Sequence, residues 1–186
     1  MPENSSRFVL KNVVINYPSV FRPKSINGSP AKYSACLLIG KDDLENLNAY
    51  QSALEVAYEA GKGKLMTGKA LPKLDSLRCP LKDGDLEKPG DEAYEDRFFL
   101  NASSRTKPKA VHRDLSEITE EDELYSGCIV NVSVTLYVYK TEVSKGIACG
   151  LNSIQLVKRG ERIGRGPRIT DEFEVIESED EDDLPF

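Results

Sequence analysis

The sequence has little of what metal sites, active sites and membrane spans are built from. It contains no tryptophan and one histidine, His112, and none of its four cysteines stands in a Cys-x-x-Cys pair. Zinc sites usually take their ligands from such pairs, so we expect no metal and four reduced thiols. No apolar run reaches 18 residues, and the N-terminus lacks the regions of a signal peptide. These absences predict a cytoplasmic chain that does not cross a membrane.

Two stretches approach enzyme motifs without completing them. The segment Gly63-x-x-x-x-Gly68-Lys69 is close to a phosphate-binding P-loop, but a helical pattern precedes it, and Ala70 replaces the hydroxyl that would hold magnesium. The acids of 82–96 would suit a metal-dependent nuclease only if several converged, and they lie in apparent turns. The sequence therefore predicts no enzyme and no cofactor, with a nuclease or a nucleotide-binding enzyme as the alternatives.

Charge is divided unevenly along the chain. The net charge is −6, yet residues 171–186 hold nine acids and no base. The first 170 residues carry 25 bases against 22 acids, a net of +3. A mildly basic body with an acidic end indicates a nucleic-acid-binding body with an acidic tail. It fits equally well a solubility tail or an acidic-tailed interaction module whose body does not bind DNA.

The strand at 130–139 has the clearest pattern in the chain, because it alternates apolar and polar residues over ten positions. Its apolar face consists of Val130, Val132, Val134, Leu136 and Val138, and its polar face of Asn131, Ser133, Thr135, Tyr137 and Tyr139. Four further strands are predicted at 7–18, at about 32–39 and 97–102, and within 145–159. Pro18 ends the first of these, and the first two form a hairpin around a long loop.

One helix is predicted after the second strand. Asp42 or Asp43 caps it, Gly61 stops it, and its apolar face comprises Leu44, Leu47, Leu54 and Tyr58. The residues that follow, 62–95, contain many turn signals and are predicted to form a long ordered loop, with a short helix after Gly90.

These elements predict a mainly β fold with one embedded helix and long loops. About five strands fit a small closed β-barrel, because closure removes exposed strand edges, and the OB fold is the leading candidate. We place this domain at 1–160. A basic linker begins at 161 and leads into a disordered or extended acidic tail at 171–186.

Aromatic and basic residues of this barrel predict a DNA-binding surface. Non-specific single-strand binders stack bases on aromatic rings and follow phosphates with basic groups. Tyr137 and Tyr139 suit such stacking, although their rings would equally suit covering the barrel from outside. The acid-free loop 103–113 is a candidate for contacting phosphates. The predicted DNA-binding residues are Lys32, Tyr33, Arg97, Phe98, Arg105, Lys107, Lys109, Arg113, Tyr137, Tyr139, Lys140 and Lys145.

Four stretches of the body resemble a family of bacteriophage single-stranded DNA-binding proteins. They read SVFRPKSINGSPAKYSACLLI, LKDGDLEKPGDEAYEDRFFLNASSRTKPKAV, LYSGC and KGIACGLNSIQLVKRGERIGRG. The resemblance covers about residues 7–170. It implies an OB-type fold, single-stranded DNA as the ligand, and a role in DNA replication or recombination inside an infected bacterium. Self-association is left open.

The last five residues resemble a different group of proteins. Asp182-Asp183-Leu184-Pro185-Phe186 differs only at Leu184 from the Asp-Asp-Ile-Pro-Phe tip of bacterial single-stranded DNA-binding proteins. That resemblance implies docking of the tip on replication or recombination proteins. A terminal Phe ring can enter an apolar pocket while its α-carboxylate pairs with a basic rim. The preceding acids keep the segment extended and steer it toward positive surfaces.

Overall fold

Seven strands and two helices make up the regular structure of this protein, for which a computed structural model describes residues 6–25, 28–163 and 173–176. The strands are β1 (Arg7–Lys24), β2 (Lys32–Gly40), β3 (Leu81–Asp83), β4 (Arg97–Ser104), β5 (Lys109–Val111), β6 (Ile129–Lys140) and β7 (Lys145–Lys158), and the helices are α1 (Leu44–Leu65) and α2 (Gly84–Glu87).

Five of the strands close into a barrel. β1 pairs antiparallel with β2 and with β6, β2 pairs with β4, and β6 pairs with β7. A parallel pairing of Ser103 in β4 with Gly150 in β7 closes the ring. The predicted OB-like barrel is confirmed. The two short strands, β3 on the outer edge of β4 and β5 beside β7, were missed by the sequence patterns.

The apolar face of β6 fills the barrel as predicted. Its five residues, Val130, Val132, Val134, Leu136 and Val138, are at most 6% exposed. They pack with buried residues of the other barrel strands, such as Leu10, Leu37, Leu100 and Ile154. Burying each such side chain contributes about 1.5–3 kcal/mol, so this core is the main source of stability in the barrel.

β1 is longer than predicted, because Pro18 bends the strand and does not end it. Register shifts between the pairs Asn16–Cys36 and Ser19–Ser34, and Tyr17 has a φ of 47° at this point. A bulge leaves a residue outside the ladder, so the missing N–H of proline is tolerated there. Residues 7–14 of this 18-residue strand pair with β6, and residues 14–24, which include the bend, pair with β2.

Helix α1 lies against β6 and passes through Gly61, which was predicted to stop it. A Cβ on Gly61 would lie 2.2 Å from Val138 Cγ2. Glycine therefore occupies this position because the helix and strand approach too closely for a side chain. The helix ends at Leu65, which is fully buried in the core.

Of two predictions about the start of α1, one is confirmed and one was wrong. The side chain of Asp43 accepts a hydrogen bond from the Asn46 N–H, so the predicted cap is confirmed. Leu44 is 67% exposed, so its assignment to the apolar face was wrong. It is the first residue of α1 and precedes the turns that pack on the barrel through Tyr50, Ala53, Leu54 and Ala57.

Residues 62–95 are more regular than the predicted loop. They contain the end of α1, β3, α2 and two 3₁₀ turns, Leu74–Ser76 and Glu92–Tyr94, the second of which lies where a short helix was expected. Lys41 Nζ lies 2.9 Å from Asp83 Oδ1 and 2.7 Å from Asp85 Oδ2. These bonds to Lys41 lower the pKa of both carboxyl groups. The ion pairs hold this segment to the end of β2.

We expect Gly61→Ala to lower the free energy of unfolding by about 1–3 kcal/mol, because the added methyl group would overlap Val138. Helix propensity alone predicts the opposite sign. Gly63→Ala is the matched control, since no atom lies within 4 Å of its added Cβ; it should stabilise the protein by up to about 1 kcal/mol. Denaturant titration measures both, and equal effects of the two substitutions would refute the contact.

Candidate nucleic-acid interface

The strands of the barrel contain basic residues but no acidic ones. This holds for all of β1, β2, β4, β5, β6 and β7. The acids between residues 28 and 163 lie in the helices, in β3 and in the connections. A surface formed by these strands therefore lacks the negative side chains that would repel phosphates.

One outward surface of the barrel, here called the tyrosine face, consists of the polar side of β6 and the neighbouring side of β7. Its residues are Asn131, Ser133, Thr135, Tyr137 and Tyr139 of β6 and Gly146, Ala148, Gly150, Asn152 and Gln155 of β7. Asn152 Nδ2 donates to Thr135 Oγ1 at 2.9 Å, and Asn131 Nδ2 donates to Gln155 Oε1 at 3.1 Å. The side-chain amides of Asn131 and Asn152 thus donate to other side chains of the same face.

The two tyrosines of this face lie against glycines of β7. A Cβ on Gly150 would be 3.6 Å from Tyr137 Cε1, and a Cβ on Gly146 would be 3.1 Å from the Tyr139 hydroxyl. The Tyr139 hydroxyl also lies 3.3 Å from Ser144 Oγ. Tyr139 is half-buried, whereas Tyr137 is 47% exposed. Tyr139 therefore supports the sheet, and Tyr137 offers a ring to a ligand.

Closure of the barrel brings the basic loop to the tyrosine face. Ser103 pairs with Gly150, and Lys109 pairs with Ser153 three residues further along β7. The intervening loop, 104–108, must therefore lie beside the stretch of β7 that adjoins Tyr137. Arg105, Lys107 and Lys109 are all exposed there. The sequence predicted the aromatic residues and the basic loop separately, and the structure brings them close together.

Lys32 and Tyr33 adjoin the same loop from the other side. Tyr33 pairs with Ser104, and Lys32 pairs with Lys24 at the end of β1. Lys24 was missed because the strand was predicted to end at Pro18. The structure thus adds one basic residue, Lys24, to this edge of the candidate interface.

Lys140 and Lys145 pair with each other on either side of the turn of the β6–β7 hairpin, next to Tyr139. Arg78 also belongs to this end of the tyrosine face. It pairs with Gly146, and its carbonyl accepts a hydrogen bond from the Ile147 N–H at 2.8 Å. No local sequence pattern predicted this contact, since Arg78 lies in an irregular stretch of the chain.

Arg97, Phe98 and Arg113 lie away from the loop. Arg97 begins β4, about 26 Å of extended chain from Arg105. Its Nη1 donates to the Ala93 carbonyl at 3.1 Å, and Phe98 lies under Lys41 Nζ at 5.5 Å. The carbonyl of Arg113 accepts from Gln155 Nε2 at 3.2 Å, further along β7 than the loop. The structure therefore separates Arg97 and Phe98 from the other predicted positions, whereas Arg113 lies next to Gln155 at one end of the tyrosine face.

A second apolar cluster covers part of the outer surface of β1, β2 and β4. It consists of Cys36, Leu38, Tyr94 and Phe99, with Val14, Ala93 and Ile163 packed against it. The Tyr94 hydroxyl accepts a hydrogen bond from the buried Asn16 Nδ2 at 3.0 Å. Burial raises the pKa of the Cys36 thiol to about 11. OB folds commonly bind oligonucleotides on this side of the barrel, so the cluster leaves less of that surface for a ligand.

An open cleft of about 900 Å³ borders this cluster. Arg97, Arg162 and the exposed Tyr17 line it together with the acids Asp91, Glu92 and Glu161. Because both charge signs are present, the cleft is less suited to phosphate than the acid-free strands are.

The described residues hold no group of three His, Cys, Asp or Glu side chains placed to bind a metal ion. Within the same part of the chain, no helix is long and apolar enough to cross a membrane. The four cysteines are free thiols, and Cys36, Cys128 and Cys149 are buried. The predicted partner-binding residues Asp182, Asp183, Leu184, Pro185 and Phe186 lie outside the described residues.

Comparison with known proteins identifies the family. The sequence profile of the Enterobacter phage Enc34 ssDNA-binding protein family matches residues 6–185. The chain belongs to this family. The match spans the barrel and most of the acidic tail, so the Enc34 family assignment confirms the predicted relationship to phage single-stranded DNA-binding proteins.

Individual relatives of the Enc34 family and beyond agree with this assignment. The chain is similar to protein p50 of Acyrthosiphon pisum secondary endosymbiont phage 1, at 28% identity over 94% of this chain and 96% of that one. A solved structure of the bacteriophage Enc34 single-stranded DNA-binding protein in complex with ssDNA has a TM-score of 0.71 at 24% identity, covering 86% and 90% of the two chains. The gp2.5 single-stranded DNA-binding protein of bacteriophage T7 has a TM-score of 0.53 at 16% identity, covering 91% and 98%. At these identities the two structural matches show a shared fold.

We expect Tyr94→Phe to lower the free energy of unfolding by about 1–3 kcal/mol, because Asn16 Nδ2 would remain buried without an acceptor. Tyr17→Phe is the control. Tyr17 is 60% exposed, so removing its hydroxyl should change stability by less than about 0.5 kcal/mol. Thermal and denaturant unfolding measure both variants. Equal stability of Tyr94→Phe and the wild type would show that this bond contributes nothing.

Proposed function

We propose that this member of the Enc34 family binds single-stranded DNA on the tyrosine face, and that the basic loop 104–108 contacts the phosphates. The observation that carries the proposal is the Ser103–Gly150 pairing, which sets the loop beside the exposed Tyr137. Stacking on an aromatic ring and contact with phosphates are together the usual basis of single-strand binding.

Binding on this face should show little sequence preference. Reading a base requires free donors and acceptors directed at its edge. Here the amides of Asn131 and Asn152 already bond to Gln155 and Thr135. A ring such as Tyr137 stacks on any base, and a phosphate is the same at every nucleotide. The protein would therefore coat and protect exposed strands of varied sequence.

We infer that this binding is not accompanied by catalysis. The nuclease alternative needs free carboxylates, but Asp83 and Asp85 both bind Lys41. The nucleotide-binding alternative needs a strand before its glycine-rich loop and a helix after it. Gly63 instead lies inside α1, and Thr67 and Ala70 close a tight turn just beyond the helix.

The acidic tail is proposed to recruit replication or recombination proteins of the infected cell. Its terminal Phe186 offers a ring and a carboxylate, and nine acids lie between 171 and 183. The tail acids would also compete with DNA for the bases of the barrel, since both are polyanions. Tail docking and DNA binding would then be coupled, so that DNA frees the tail for its partners.

Tyr137→Ala should weaken binding to a labelled oligo-dT by about 1–3 kcal/mol, because a stacking ring is lost. Tyr137→Phe keeps the ring and should bind like the wild type. Fluorescence anisotropy titration measures the affinity, and a melting curve checks that both variants fold. If Tyr137→Ala binds as tightly as Tyr137→Phe, the tyrosine face is not where bases stack.

Removing residues 171–186 should strengthen DNA binding, most of all at low salt, because screening weakens the competition between tail and DNA. The comparison uses residues 1–170 and the full chain, titrated against the same oligo-dT at several salt concentrations. Equal affinities throughout would contradict the competition. Failure of both proteins to bind any oligonucleotide would favour the alternative of an acidic-tailed interaction module.

A further inference from the structure

Residues 61–78 are here called the lysine segment. They begin and end near the turn of the β6–β7 hairpin. Gly61 lies against Val138 of β6, and Arg78 pairs with Gly146 of β7. Val138 and Gly146 are one position apart in the ladder, since Val138 pairs with Ile147 and Tyr139 with Gly146. The segment therefore forms a loop at the end of the tyrosine face where Tyr139 lies.

The lysine segment has an ordered conformation. Leu65 and Leu77 are buried in the barrel core. Between them, the Thr67 N–H bonds the Ala70 carbonyl at 2.9 Å, and the Ala70 N–H bonds the Thr67 carbonyl at 3.1 Å. This two-residue turn has Lys69 at its tip, next to Gly68 with its φ of 63°.

Five basic residues and one acid, Asp75, lie on the lysine segment. The bases are Lys62, Lys64, Lys69, Lys73 and Arg78. Lys62 pairs with Glu59 at 2.8 Å, and Lys64 in the last turn suits the negative end of the helix dipole. That structural explanation does not extend to Lys69 and Lys73, which follow the helix and are exposed.

We propose that the lysine segment is a second phosphate-binding surface, which holds single-stranded DNA after it leaves the tyrosine face past Tyr139. This inference rests on the proposed function and lengthens its site. Lys140 and Lys145, which flank the turn of this hairpin, lie between the two surfaces. The ligand is the sugar–phosphate backbone, because Lys69 and Lys73 offer positive charge and residues 66–73 contain no aromatic ring on which a nucleobase could stack. A short oligonucleotide fills the tyrosine face alone, and a longer one reaches both surfaces.

The test compares Lys69→Gln/Lys73→Gln with Lys82→Gln/Lys88→Gln in the full chain. Both double variants remove two exposed lysines, but the second pair lies in β3 and after α2. Each protein is titrated with oligo-dT of about 8 and about 30 nucleotides. The first length lies within the usual site size of an OB fold, about 4–16 nucleotides, and the second exceeds it. Salt dependence is measured for both lengths, and melting curves verify folding.

We expect the first variant to bind the long oligonucleotide about three- to tenfold more weakly than the wild type, with a salt slope reduced by about 0.7 for each lost phosphate contact. Its affinity for the short oligonucleotide should match that of the control variant. If it binds the long oligonucleotide as tightly as the control does, the lysine segment takes no part in binding. If the wild type binds neither length, the proposed function itself fails, and this inference fails with it.

Discussion

The parallel pairing of Ser103 with Gly150 is the contact on which the arrangement of the interface depends. It joins two strands far apart in sequence and so turns an open sheet into a closed barrel. Closure removes the free edges of β4 and β7 at this point. It also fixes where the chain leaves β4, and thereby places the basic loop beside Tyr137. Without this pairing, β4 and β7 would lie near opposite edges of the sheet.

Glycines permit the other close approaches that organise this surface. Gly61 lets α1 pack against Val138, and Gly146 leaves room for both Arg78 and the Tyr139 hydroxyl. Gly127 and Gly160 come into contact where the chain leaves the barrel, since a Cβ on either would lie 2.0 Å from a backbone carbonyl oxygen. In each case a side chain would separate two elements that the fold brings together. Gly61 was predicted from the sequence to stop the helix, because a close approach between two distant segments is not visible in local sequence.

The distribution of charge follows the same architecture. Acids are absent from the barrel strands and concentrated in the tail, in the segment around α2 and in the connection 114–123. Where acids do approach the barrel, Lys41 pairs with Asp83 and Asp85, which ties down a connection. The strands thus keep a surface free of acidic side chains, while the tail carries the negative charge that is proposed to compete with DNA for it. A net charge of −6 for the whole chain conceals both properties.

Local sequence determined those features that depend on neighbouring residues. The alternation of β6, the Asp43 cap and the division of charge follow from residue order alone, because a strand or helical turn spans only a few positions. The predicted strands and embedded helix already favoured an OB-like barrel, and the family resemblance implied the same fold. Tertiary structure decided the rest: that Ser103 pairs with Gly150 and brings the basic loop to β7, that Arg78 joins the candidate interface, and that α1 continues through Gly61 against Val138. These outcomes depend on pairings between residues tens of positions apart, whose geometry no local pattern encodes.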